Sequence, residues 1–139
     1  MLSLEDAVLL GYFSITIKPL VVNAEPFSNT VKRKLARFSE MDKSEQTYNL
    51  AAYLVAQLGK NFSSNAKGRI TGEELLEAAI RQTQLSQYQA GGMVSFVEAE
   101  DNEKLLSFYS DYGFKRFATR QTAADADKSH ELIRLLKLI

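Results

Sequence analysis

Apolar and polar positions alternate first in residues 7–17, AVLLGYFSITI, where Tyr12, Ser14 and Thr16 interleave with Phe13, Ile15 and Ile17. A two-residue period places alternate side chains on opposite faces of an extended chain, so a half-buried strand is expected. Pro19 has no amide to donate and should end that strand or hold it at a sheet edge. Between residues 23 and 44, Val31, Leu35 and Phe38 recur at helical spacing among Lys32, Arg33, Lys34 and Arg37. That spacing predicts a short amphipathic helix with a basic face. Residues 49–58, NLAAYLVAQL, form an apolar run suited to a central strand, with helix left open by period alone. Residues 62–68, FSSNAKG, have loop composition.

Thr71 and Glu74 stand at capping-box spacing and predict a helix over residues 73–88 whose buried face is Leu75, Leu76, Ala79, Ile80 and Thr83. Gly91 and Gly92 should stop it. Residues 93–99, MVSFVEA, read as a buried strand. Asp101 or Asn102 can cap a second helix with the face Leu105, Leu106 and Tyr109, closed by Gly113. A strand at 114–120, a solvated loop at 121–129 and a last strand at 130–139 complete the order. Strands alternating with helices predict an α/β class with a mixed sheet, parallel near its middle.

Composition narrows the chemistry. The 139 residues suit one domain, a size that buries roughly two thirds of its unfolded surface. Lys plus Arg and Asp plus Glu number 17 each, so no net field recruits nucleic acid or membrane. Residues 1–7 hold two acids and no base, unlike a secretory leader, and the apolar runs are too short to span a bilayer. A cytoplasmic location is the expectation, and it suits the absence of Cys. With no Cys and His130 the single His, thiol catalysis and a Cys or His metal centre are excluded, and no metal is expected. A Ser-His-Asp triad and a phosphate-loop signature find no matching pattern.

Two features remain. In KGRITGEELL, Lys67, Gly68, Arg69 and Gly72 precede a helix start, where unpaired amides and the positive end of the helix dipole attract anions. Glycines allow close backbone approach, so the segment suits a diphosphate, although an ordinary strand-to-helix loop has the same composition. In FYSDYGF, Tyr109 lies in the last turn before Gly113. Its phenol is suited to giving a proton to a leaving thiolate, and core packing of Tyr109, Tyr112 and Phe114 is the competing assignment.

Taken together and in this order, the two segments resemble the GNAT superfamily of acyl-CoA-dependent N-acetyltransferases over residues 8–139. That family's loop, Q/R-x-x-G-x-G/A, is matched by Lys67 through Gly72, with departures at Lys67 and Ile70. Its Asn-led helix ending in Y-x-x-x-G-F is matched by Asn102 and by Tyr109 through Phe114. The resemblance implies a GNAT-like sheet, mixed and largely antiparallel, with a parallel central pair, helices on both faces and a basic helical insertion about residues 28–40. It implies acetyl-CoA as cosubstrate. Leu58, Gly59 and Lys60 would bond the pantetheine arm through their backbone. Lys67, Gly68, Arg69, Ile70, Thr71 and Gly72 would hold the diphosphate. Asn102 would bond the cofactor near its thioester, and Tyr109 would protonate the CoA thiolate.

The acceptor would be an amine, with Glu98 or a water relay available as base. Family members carry further elements ahead of the segment aligned at Ala7, so a remnant that binds CoA or a partner without turnover stands as the alternative. A branch of toxins with a similar Gln-Leu-Gly strand end acetylates aminoacyl-tRNA, and the basic helix could meet a phosphate backbone. Arg120, Arg134 and Lys137 would join that patch if they share its face. A homodimer stays open.

Overall fold

The computed structural model describes residues 1–37, 39–122 and 131–139. The expectations for Phe38, for His130 and for most of the 121–129 loop lie outside these residues. In chain order the elements are β1 (Gly11–Asn23), α1 (Asn29–Ala36), β2 (Met41–Asp42), β3 (Thr47–Lys60) and α2 (Gly72–Ala90). They continue with β4 (Val94–Glu100), α3 (Glu103–Asp111), β5 (Lys115–Gln121) and β6 (Glu131–Leu138). The strands form one six-stranded sheet in the order β1-β3-β4-β6-β5, with β2 also on β3. Among the described residues only the β3–β4 pair is parallel; every other pairing of these strands is antiparallel. This is the α/β arrangement that the resemblance implied.

Alternation along the strands divides the core between two faces. On one, Leu20, Val22, Leu50, Ala52, Val94, Phe96 and Leu136 pack with Leu35 of α1. On the other, Val55, Val97, Ala99, Ile133 and Leu135 pack with Leu76, Ala79 and Ile80 of α2 and Tyr109 of α3. Helices therefore cover both faces. β1 begins four residues later than its pattern suggested and runs through Pro19 to Asn23. Pro19 is tolerated because β1 is the outermost strand, so a missing donor leaves no neighbour unpaired. Ser28 caps α1 through Oγ, which accepts from the Val31 amide at 3.3 Å.

β2 was not expected: Met41 and Asp42 pair with Tyr48 and Thr47 across a turn. In that turn Asp42 Oδ1 accepts from the Ser44 amide at 2.9 Å and from the Glu45 amide at 3.2 Å.

Gly91 and Gly92 end α2, at φ +84° and +93°. A Cβ on Gly92 would lie 2.9 Å from Cε2 of Tyr53, whose hydroxyl donates to the Gly91 carbonyl. Gly92→Ala is expected to destabilise the fold by about 1–3 kcal/mol, through positive-φ strain and displacement of that ring. Denaturant titration checks it; an unchanged midpoint would show that the turn relaxes freely.

Candidate active site

The central parallel pair is short. Ala52, Tyr53 and Leu54 of β3 face Val94, Ser95 and Phe96 of β4, and the pairing stops there. β3 continues to Lys60 paired only with β1, and β4 continues to Glu100 paired only with β6. The two inner edges, 55–60 and 97–100, are thus left unpaired against each other in a wedge that opens toward the strand ends. A bulge accompanies the divergence. Between the Ser14–Ala56 and Tyr12–Gly59 pairs, Phe13 faces both Gln57 and Leu58, and Gln57 adopts φ +53°. An extra residue bends and twists its strand, which carries β3 away from β4. Neither the bulge nor the wedge was visible in the pattern of side chains.

Leu58, Gly59 and Lys60 all lie on the unpaired stretch of β3. Their outer edge bonds β1, so the inner edge is what an added pseudo-strand would meet. Gly59 has its own reason to be glycine, since a Cβ there would come within 3.1 Å of the Tyr12 ring.

The wedge opens beside the start of α2. Here the amides of Lys67 and Arg69 donate to the carbonyls of Ser63 and Ala66, and that of Leu75 to Thr71. The Glu74 amide donates to Thr71 Oγ1 at 3.1 Å. Gly68, Ile70, Thr71, Gly72 and Glu73 find no protein acceptor for their amides among the described residues. The expected capping box closes only halfway: the Thr71 hydroxyl meets Glu74 Oε1 at 3.3 Å, which leaves the Thr71 amide open. Gly68 takes φ +76° with nothing within 4 Å of a would-be Cβ, and a Cβ on Gly72 would meet Phe108 at an ordinary 3.7 Å. Open amides at a helix N-terminus, with room above two glycines, are what an anion requires.

The side chains of Ile70 and Arg69 both turn to holding the loop in place. The Ile70 side chain is buried with Leu10, Ala66 and Leu75, anchoring the loop while its amide stays available. Arg69 turns back: its guanidinium donates to Asp6 Oδ2 at 3.0 Å, Ser3 Oγ at 2.8 Å and the Asn65 carbonyl at 3.0 Å. Its charge holds residues 3–6 against the loop, and Lys67 carries the uncommitted charge.

Hydrogen bonding from Arg69, helped by the Val8 amide, pulls the Asp6 carboxyl below its ordinary 3.8. A depressed acid contributes its stability above the unfolded value and loses it as pH falls through the lower folded value. Asp6→Asn is therefore expected to lower the melting temperature slightly at neutral pH, a difference that closes once pH drops below 3.8. Melting curves across that range check it.

Asn102 caps α3, its Oδ1 accepting from the amides of Lys104 at 3.0 Å and Leu105 at 3.2 Å. The side-chain oxygen is committed to the helix, and Nδ2 has no hydrogen-bond partner among the described residues. Tyr109 is 8% exposed and belongs to the same buried cluster as Val55, Val97 and Ala99. Val55 and Val97 are the first residues beyond the last β3–β4 pair. Tyr109 thus belongs to the core on the α2–α3 face of the sheet, the face on which those two valines also lie. It packs edge-on against Phe108 and Phe114 and finds no hydrogen-bond partner among the described residues. Burial raises its pKa above 10.0.

The groove between the start of α2 and α3, about 800 Å³, is lined by Glu73, Glu103 and Asp111 as well as Lys104 and Ser107. Of the candidate basic patch, Arg120 and Arg134 ion-pair with Glu98. Lys137 Nζ donates to the Tyr112 carbonyl at 2.6 Å. The basic positions of α1 belong to the helix whose Leu35 packs over the first half of β3, away from the wedge.

No protein-family model matches the chain, and no curated protein matches it. Among solved structures it is similar to an IAA acetyltransferase from Bacillus cereus ATCC 14579 (TM-score 0.46, 13% identity, 91% of this chain and 100% of that one). It is also similar to a GNAT family acetyltransferase from Elizabethkingia anophelis with acetyl-CoA bound (TM-score 0.44, 15% identity, 90% and 98%). A third is the NatC complex bound to Gag peptide and CoA (TM-score 0.47, 16% identity, 91% and 99%).

Proposed function

We propose that the chain is an N-acetyltransferase that takes its acetyl group from acetyl-CoA and passes it directly to an amine. The observation that carries this reading is the conjunction of an unpaired strand edge at 55–60, open amides at Gly68 and from Ile70 to Glu73, and an unpartnered phenol in the core cluster that includes Val55 and Val97. The inner edge of Leu58, Gly59 and Lys60 suits the amide-bearing pantetheine arm. The amides of Gly68, Ile70, Thr71 and Gly72 suit the diphosphate, with Lys67 adding charge and the Arg69 side chain acting as a brace. Bound there, acetyl-CoA supplies an activated acyl carbon and a thiolate leaving group.

The chain's residues position and protonate. A neutral amine forms the C–N bond as the C–S bond breaks. Its surplus proton passes to solvent, the Tyr109 phenol gives its own proton to the departing sulfur, and the phenolate takes a proton back from solvent. A raised pKa keeps that phenol protonated throughout the neutral range.

The acids Glu73, Glu103 and Asp111 support a second reading, in which the fold is kept without turnover, because they would repel further phosphates beside the nest. Thermal unfolding separates the two. Acetyl-CoA at 100 times its Kd should stabilise the chain by about 2.7 kcal/mol. No stabilisation would remove the enzyme reading. Stabilisation without release of CoA in the presence of any of a panel of amines would favour the second.

A further inference from the structure

On the sheet face opposite the open amides and Tyr109, a charged cluster runs from Glu98 at the β4 edge of the wedge across the next two strands, β6 and β5. Val97 and Ala99 point toward α2 and α3, and Phe96 points toward the α1 side, so Glu98 shares the face of Phe96. It lies two residues beyond the last β3–β4 pair. Its carboxylate, 15% exposed, meets Nε of Arg120 from β5 and lies 3.8 Å from Nε of Arg134 on β6.

Arg134 is clamped. Its guanidinium carbon sits 5.3 Å from the centroid of the Phe96 ring and 5.5 Å from that of Phe117. Its Nε is buried without a hydrogen-bond partner. A buried donor left unpaired costs free energy that an incoming acceptor atom recovers. Arg120 is half exposed, held in direction by Glu98. Glu100, on the same face at the strand end, forms no ion pair among the described residues. Two guanidinium groups share one carboxylate here, and the Nε of Arg134 lacks a hydrogen-bond acceptor.

We infer that Arg120 and Arg134, oriented by Glu98, recognise the acceptor, and that the acceptor is a small amine bearing a carboxylate. The inference rests on the acetyl-transfer reading: with the acyl donor held from the α2–α3 side, the amine reaches the wedge from the other face. Paired guanidinium groups suit a carboxylate. A carboxylate held there fixes the neighbouring nitrogen beside the wedge without placing a second positive charge against the arginines.

The test is CoA release from acetyl-CoA with paired acceptors: alanine and ethylamine, phenylalanine and phenethylamine, leucine and 3-methylbutylamine. In at least one pair the amino acid should be the better acceptor by about tenfold or more, as expected for charge-assisted hydrogen bonds. Arg120→Ala should raise the KM for that amino acid by a similar factor and leave the KM for acetyl-CoA unchanged. Arg120→Lys should recover part of the loss. Equal use of both members of every pair, no transfer to any amino acid, or an Arg120→Ala variant with unchanged KM would overturn the assignment. Stabilisation by acetyl-CoA, read on the same samples, separates the two claims. If it is present while the pairs show no preference, only the acceptor assignment fails. If it is absent, the acetyl-transfer reading fails and takes this one with it.

Discussion

Tyr109→Phe is expected to lower turnover by about 10²-fold or more while acetyl-CoA affinity stays within a few-fold, the pattern left when a general acid is lost. The substitution removes one oxygen that has no hydrogen-bond partner among the described residues, so the edge-on contacts with Phe108 and Phe114 persist and the fold should be undisturbed. A difference in kcat therefore reports chemistry. The pH profile adds a second readout. Burial raises the phenol's pKa above 10.0, so a fall in kcat due to its ionisation belongs on the alkaline side of that value and should vanish in the variant. Turnover of Tyr109→Phe equal to that of the parent would make Tyr109 a core aromatic and nothing more.

Gly72→Asp should lower acetyl-CoA affinity by at least about tenfold, since it sets a carboxylate beside open amides that would otherwise face a diphosphate. Gly72→Ala is the control. Its Cβ would rest 3.7 Å from the Phe108 ring, an ordinary contact, so the alanine variant should fold as the parent does and lose less affinity than the aspartate variant. Isothermal titration of both variants makes the comparison. Loss of binding in the alanine variant as well would point to steric damage, and retention in the aspartate variant would place the diphosphate elsewhere.

Most of the architecture could be read along the chain because its signals are local. Thr71, Glu74 and the face from Leu75 to Thr83 announce α2 by spacing alone, and Asn102 and Gly113 bracket α3 as caps do. What escaped notice depends on partners distant in sequence. The wedge exists because β3 and β4 each keep only one neighbour past Leu54 and Phe96, and no residue type marks where a parallel ladder stops. The bulge at Gln57 places a non-glycine residue at positive φ, where pattern reading expects regular strand. β2 is too short for alternation to show.

At the site, the glycines and the Tyr109 position were legible because conformational freedom and helix phase are properties of single residues. The commitment of Arg69 to Asp6 and Ser3 was not, since those partners lie more than 60 positions away. Glu98 could be named beforehand as an acid in the right strand. Its two arginines come from β5 and β6, and only the sheet order brings them together.

The proposed cradle for acetyl-CoA is built of backbone amides, and each amide gives its own NMR resonance. Titration of the ¹⁵N-labelled protein with acetyl-CoA should move the resonances of Gly68, Ile70, Thr71, Gly72 and Glu73 together with those of Leu58, Gly59 and Lys60. All of them should follow a single saturation curve, while the amides of α1 stay still. Saturable binding that leaves residues 68–73 unmoved would contradict the account, whatever activity the protein proved to have.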